Sequence, residues 1–223
     1  MKSISKKKHL EILLEKVPSH PVPKVEFEQY STPSNIASDV LWNALNFGDI
    51  YNKSVMDLGC GTGIFTIGSR LLESKKSFGI DIDESAISKA IECKNNFHLE
   101  NIDFFVNDLN DLSNYINDLD ELFKKYPYLK DIDTVIQNPP FGSQLKSKKG
   151  ADRIFIELAM TISPVVYSFH MKNTENFVIN LFNKFGGELT HKFSYKFTIP
   201  KIYEFHTSEI STTEVTVFRF QSF

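Results

Sequence analysis

The apolar run Thr134-Val135-Ile136 leads through Gln137 into Asn138-Pro139-Pro140-Phe141, and this junction constrains the fold most. The run reads as a buried strand. Two consecutive prolines cannot continue a central strand, because each lacks an N–H and has a fixed φ. The strand must stop there, and the chain turns out at its C-terminal end. In an open α/β sheet that end is where ligands bind. A side-chain amide, two stiff carbonyl-bearing residues and an aromatic ring are therefore expected together at a site.

A second junction lies upstream. Ser54-Val55-Met56-Asp57-Leu58 reads as a strand, and Gly59-Cys60-Gly61-Thr62-Gly63 follows before Ile64, Phe65 and Ile67 open a helix. Alternating glycines permit positive φ and close backbone approach to a ligand. The spacing is not that of the dinucleotide fingerprint, and no Gly-Lys-Ser/Thr follows to make a P-loop. An acidic residue before the loop disfavours a pyrophosphate. It suits a cationic ligand, such as an amino-acid amine or a sulfonium.

Two further strands end in acid. Ser77 to Ile80 leads to Asp81, about 20 residues past the glycine loop, where a carboxylate accepts from ribose hydroxyls. Ile102 to Asn107 leads to Asp108-Leu109, which can bond an adenine amino group and flank its ring. Taken in order, Asp57 with the glycine loop, Asp81 and Asp108 recognise an amino-acid moiety, a ribose and an adenine. Chemically, that ligand is S-adenosylmethionine.

The remaining chain sets the architecture. An amphipathic helix is expected before Pro18 and an extended linker over Pro21–Pro23. Thr32-Pro33 reads as a helix start, with Thr32 as N-cap and Pro33 at the first helical position. Residues 110–131 read as a polar surface insertion. The loop with Lys146, Lys148 and Lys149 is a candidate phosphate contact. Asp152 is expected to cap a helix from about Arg153. Val165 to His170 reads as a fifth strand, and Glu188–Ile199 and Thr213–Phe220 as an antiparallel pair. Right-handed crossovers place the first strand centrally and the third at an edge. The expected fold is a single α/β domain. It has a Rossmann-like seven-stranded sheet, mostly parallel with a C-terminal antiparallel strand, and helices on both faces. Residues 1–48 form N-terminal helical elements with a cofactor-covering loop, and 49–223 form the core.

Composition narrows the function classes. The net charge of −3 means that nucleic-acid binding would rest on local basic patches or a partner. No apolar run approaches the roughly 20 residues of a membrane span. Cys60 and Cys93 are the two cysteines, which excludes a cysteine-rich zinc site and suits a reducing compartment. The histidines show no metal-ligand spacing, so no metal is expected. The twenty phenylalanines are mostly core, which makes a lone Phe weak functional evidence.

The order Asp57-Leu58-Gly59-Cys60-Gly61-Thr62-Gly63, Asp81, Asp108, Asn138-Pro139-Pro140-Phe141 resembles the seven-stranded S-adenosylmethionine-dependent amino-methyltransferases. Glu28-Gln29-Tyr30-x-Thr32-Pro33, the run through Gly142, Val166 to His170 and Pro200-x-x-Tyr203-x-Phe205-His206 narrow this. Together they resemble the methyltransferase-like 5 family, which makes N6-methyladenosine in small-subunit (18S-type) ribosomal RNA. The resemblance implies that Gln29, Thr32, Gly59, Thr62, Ile64, Asp81, Asp108 and Leu109 contact the cofactor. It also implies ribosomal RNA as partner, with Tyr203 and His206 near it, and a small zinc-binding activator subunit on the third-strand edge. An intracellular location, nuclear, nucleolar or cytoplasmic, is expected. The loop after His206 departs from the family pattern, reading Thr207-Ser208-Glu209 rather than lysine-rich.

The residues support a mechanism beside the resemblance. An exocyclic adenine nitrogen is a poor nucleophile, since its lone pair is delocalised. The Asn138 side-chain oxygen and the Pro139 carbonyl can each accept one N6 hydrogen, favouring a tetrahedral nitrogen. Phe141 would stack on the base, worth about 1–3 kcal/mol. The alternatives are a protein N5-glutamine methyltransferase, which uses the same acceptor logic, a DNA adenine methyltransferase and a non-catalytic scaffold subunit.

Overall fold

The computed structural model describes residues 3–20, 31–140, 151–200 and 210–222. In chain order the principal elements begin with α1 (Lys7–Leu14), α2 (Ser34–Asn46), β1 (Ser54–Leu58), α3 (Ile64–Leu71), β2 (Lys76–Asp81), α4 (Glu84–Asn96) and β3 (Ile102–Val106). They continue with α5 (Leu109–Ser113), α6 (Leu119–Lys125), β4 (Thr134–Gln137), α7 (Ala151–Ile162), β5 (Val165–Met171), α8 (Glu175–Lys184), β6 (Glu188–Pro200) and β7 (Ile210–Gln221). Among the described residues no helix is long and apolar enough to cross a membrane.

The strands form one seven-stranded sheet in the order β3-β2-β1-β4-β5-β7-β6. Strands β1 to β5 pair in parallel, while β7 runs antiparallel to both β5 and β6. The first strand is central and the third lies at an edge, as the crossover rule requires. The chain winds outward through β2 and β3, then returns to the other side of β1 to lay down β4. In an open α/β sheet such a reversal is where ligands bind, and here it falls at the C-terminal ends of β1 and β4.

Alternation along the strands divides the apolar residues between two faces. On one face Val55, Ile136, Tyr167 and Val217 pack against Leu10 and Leu14 of α1, Val40 and Leu41 of α2, and Phe65 and Ile67 of α3. The opposite face buries Met56, Leu58, Val135, Val166 and Phe218 under residues of α5 to α8. Leu112, Leu122, Tyr126 and Leu129 belong to that second layer. The 110–131 segment is therefore not a surface insertion but the cover of that face. Two other boundaries differ. Asp152 lies inside α7 rather than capping it, and β7 begins at Ile210 rather than Thr213.

Across the sheet, Asp49 ties five segments together. Arg219 of β7 donates from Nε and Nη2 to its two carboxylate oxygens at 2.8 and 3.1 Å, and Tyr167 of β5 donates at 2.6 Å. Thr134 of β4 donates to the Asp49 carbonyl, and Arg219 Nη1 reaches Thr190 of β6 at 2.8 Å.

Candidate active site

Four adjacent strands bring the predicted residues to one edge of the sheet. The glycine loop follows β1, Asp81 ends β2, Asp108 follows β3 and Asn138 follows β4. The end of β2 holds the loop: Gly59 and Cys60 donate their N–H groups to the Ile80 carbonyl at 2.9 Å, and Gly61 donates to Asp81 Oδ2 at 2.7 Å. Gly61 and Gly63 have φ of 53° and 89°. A Cβ at Gly61 would stand 2.7 Å from His20 Nε2, and one at Gly63 2.8 Å from the Phe104 ring. Only glycine allows this curl and lets His20 and the Phe104 ring pack against the loop backbone.

Asp81 is part of the loop's support as well as a candidate ribose acceptor. Its Oδ1 takes the Asp83 N–H at 2.9 Å. Burial pushes its carboxyl above the usual range, and the N–H groups of Asp83 and Gly61, followed by the nearby His20, offset part of that rise. Donating hydroxyls from a ligand would favour the charged form further.

Asp57 departs from its expected role. It is 1% exposed, and its Oδ2 accepts from the Thr66 N–H at 3.0 Å and the Thr66 hydroxyl at 2.8 Å. It anchors the first turn of α3 from behind the loop rather than facing a cationic ligand. Burial pushes its carboxyl up to about 7, against the pull of Thr66, and the Asp81 charge adds to the rise. In the unfolded chain an aspartate titrates near 3.9. Between roughly pH 4 and 7 the folded state therefore holds a proton that the unfolded state releases. This contribution is full below about pH 4 and is lost as pH rises through 7. Asp57→Asn keeps an oxygen for Thr66 and cannot titrate. Denaturant unfolding should show the variant gaining on wild type from about pH 4 to 7, then holding a constant lead. A stability difference that is flat across that range would contradict the assignment.

Asn138 sits half-buried beyond the last residue of β4, and Pro139 behind it is buried. Its Nδ2 donates to Thr32 Oγ1 at 3.1 Å. Thr32 therefore does not cap α2: the helix starts at Ser34, Pro33 is the N-cap, and the Pro33 carbonyl accepts from Ile36 and Ala37. A tertiary partner outcompetes the local capping signal. Because Nδ2 is committed to Thr32, the acceptor end of the amide is Oδ1 and its orientation is set.

Other predicted residues have mixed surroundings. Thr62 donates to the Pro18 carbonyl at 2.6 Å, so the segment after α1 crosses the glycine loop. Ile64 opens α3 and packs against the first core layer. Asp108 caps α5, its Oδ1 taking the Asn110 N–H at 2.9 Å, and Leu109 is buried in the second layer. Pro140 is half-buried. Gln29, Phe141, Lys146, Lys148, Lys149, Tyr203 and His206 lie outside the described residues.

Sequence reasoning missed two groups here. Pro18 and His20 read only as the approach to a linker, and nothing local signals their contact with the loop. Gln137, Ser168 and His170 form a buried set next to Asn138; Val166 to His170 carries part of the family resemblance, but nothing in the sequence links Ser168 and His170 to Gln137.

The donor set fits an adenosylated amino acid. A left-handed glycine loop, a half-buried carboxylate at the end of β2 and a helix-capping aspartate after β3 line one edge in sequence. A family model described as a methyltransferase domain matches residues 51–197. An uncharacterized protein of Methanocaldococcus jannaschii is 41% identical over 97% of this chain and 94% of its own. The rRNA N(6)-adenosine-methyltransferase METTL5 of Danio rerio is 33% identical over 96% of this chain and 98% of its own. The chain belongs to the methyltransferase-like 5 family. A Pyrococcus horikoshii protein described as an RNA methyltransferase has a solved structure with 35% identity and a TM-score of 0.81, covering 98% of both chains. The member described here is accordingly a methyltransferase, and its methyl donor is S-adenosylmethionine.

Proposed function

We propose that this protein transfers a methyl group to the N6 amino group of an adenosine in small-subunit ribosomal RNA of the 18S type. The observation that carries the reading is Asn138, held by Thr32 at the C-terminal end of β4 beside the glycine loop. When bound, S-adenosylmethionine supplies an electrophilic methyl group on a sulfonium. The glycine loop and Asp81 hold the donor, with Asp108 and Leu109 at its adenine and Gln29 and Thr32 on the covering loop.

Asn138 Oδ1 and the Pro139 carbonyl each accept one hydrogen of the target amino group. This turns the nitrogen lone pair out of conjugation and toward the methyl. With the donor bound, the N–C bond would form as the donor's C–S bond breaks, and the amine proton would leave to solvent. Alignment of this kind supplies several kcal/mol without a strong base. Phe141 stacks on the target base, which must be unpaired or flipped out. Lys146, Lys148, Lys149, Tyr203 and His206 are the proposed RNA contacts.

A partner subunit is part of the proposal. The two sheet edges differ in kind. The β6 edge exposes His191, Lys192, Ser194 and Lys196, the sort of polar and charged residues that discourage pairing. The β3 edge instead carries half-buried Phe104 and Phe105 and Val106 at 47% exposure, with Ile82 nearby at 44%. We place a small zinc-binding activator subunit on that edge, with the complex intracellular, in nucleus, nucleolus or cytoplasm.

Incubation with labelled S-adenosylmethionine, ribosomal RNA and glutamine-containing peptides tests the reading. Label is expected in RNA. Label in peptide glutamine with none in RNA would favour a protein methyltransferase, and label in neither, with the partner present, a scaffold. A monodisperse, fully active isolated chain would count against the partner.

A further inference from the structure

We infer that Gln137, Ser168 and His170 form a buried relay that positions Asn138 for methyl transfer, an inference that rests on the role proposed for Asn138. The main-chain ladder between β4 and β5 ends at the pair Gln137 and Ser168. Asn138 follows immediately in the chain. At this last rung the side chains take over. Gln137 Nε2 donates to Ser168 Oγ at 3.0 Å, and Ser168 Oγ lies 2.6 Å from His170 Nε2. Gln137 and Ser168 are 0% exposed and His170 is 3% exposed.

The relay has a direction. Burial holds the His170 imidazole far below its usual pKa, at about 3, so the ring is neutral. Ser168 accepts from Gln137 and can therefore give its own hydrogen to Nε2, which places the ring proton on Nδ1. Phe182 and Phe218 stand around the imidazole, with ring centroids 6.5 and 6.2 Å away. They fix its plane.

The arrangement carries a stability cost. Gln137 Oε1 is buried with no hydrogen-bond partner among the described residues. A methionine of similar length would fill the space without that penalty. A buried polar set that is not fully satisfied is poor packing, but it does fix geometry. It grips the chain on the α7–α8 face of the sheet, while Thr32 holds Asn138 beside α2. Gln137 and His170 are thus positioning residues acting through Asn138.

The test compares His170→Leu, His170→Gln and Gln137→Met with wild type. Glutamine can place an amide oxygen where Nε2 accepts from Ser168; leucine cannot. The first readout is the Asn138 side-chain amide resonance in a ¹H–¹⁵N spectrum, which needs no RNA. The second is single-turnover methylation of ribosomal RNA, with cofactor Kd measured separately. His170→Leu and Gln137→Met should move the Asn138 resonance and slow transfer about 10- to 100-fold. Cofactor Kd should stay within about twofold, and His170→Gln should restore both readouts. An unmoved Asn138 resonance in the leucine variant, or a glutamine variant as poor as leucine, would overturn the relay. Should those variants fail to fold, Ser168→Ala removes the central hydroxyl with little change in volume and carries the same expectation. Wild type that methylates no RNA adenosine would overturn the proposed function, while the resonance would still decide the relay.

Discussion

Replacing Asn138 with alanine is expected to slow methyl transfer by about 10²- to 10³-fold while leaving cofactor affinity within about threefold. The expectation follows from where Asn138 sits. It lies outside the glycine loop, so its loss leaves the Gly59–Gly61 ties to Ile80 and Asp81 intact. The substitution removes one of the two proposed acceptors for the target amine and the Nδ2 bond to Thr32. Asn138→Asp separates these contributions. A carboxylate keeps the acceptor, and the Thr32 hydroxyl can reverse to donate to it. That variant should fall between alanine and wild type. Isothermal titration with the cofactor and single-turnover rates on RNA distinguish the two quantities. Equal losses in affinity and rate would point to a structural role for Asn138 instead.

The second large effect lies at the far end of the sheet and concerns stability. Arg219→Leu would leave the Asp49 carboxylate buried with Tyr167 as its remaining charge-stabilising neighbour. Breaking a buried ion pair from one side costs about 3–5 kcal/mol. For a chain of this size that lowers the unfolding temperature by on the order of 10 °C. The double variant Asp49→Leu/Arg219→Leu should recover part of the loss, because no charge is then stranded. Thermal unfolding of the two singles and the double checks this. A drop of less than about 2 °C in Arg219→Leu would mean that the pair contributes little.

Both effects show what the sequence made legible. The strand order and the site edge could be read because the first four apolar runs end in glycine, acid or proline, and because right-handed crossovers leave few topologies. The placement of Asp81 and Asn138 followed from those same endings. What could not be read depends on contacts between distant segments. Asp49 and Arg219 are 170 positions apart, and neither carries a local signal. The capping signal at Thr32 is genuine, but Asn138, 106 positions away, claims the hydroxyl. The 110–131 segment hid its core role because α5 and α6 are only 5 and 7 residues long. Helices under two turns show too little periodicity to mark Leu112 and Leu122 as buried. Asp57 stands at the start of the loop as its position in the sequence indicates, but its bonds to Thr66 depend on burial, which no local signal reveals.

The central claim is that Asn138 and the Pro139 carbonyl present one adenine amine to the methyl donor. Mass spectrometry of nucleosides tests it most directly, after digestion of ribosomal RNA incubated with the protein, the proposed partner subunit and isotope-labelled S-adenosylmethionine. The account predicts label in N6-methyladenosine from small-subunit RNA, and its loss with Asn138→Ala. Label in another nucleoside, or undiminished N6-methyladenosine with the alanine variant, would contradict it.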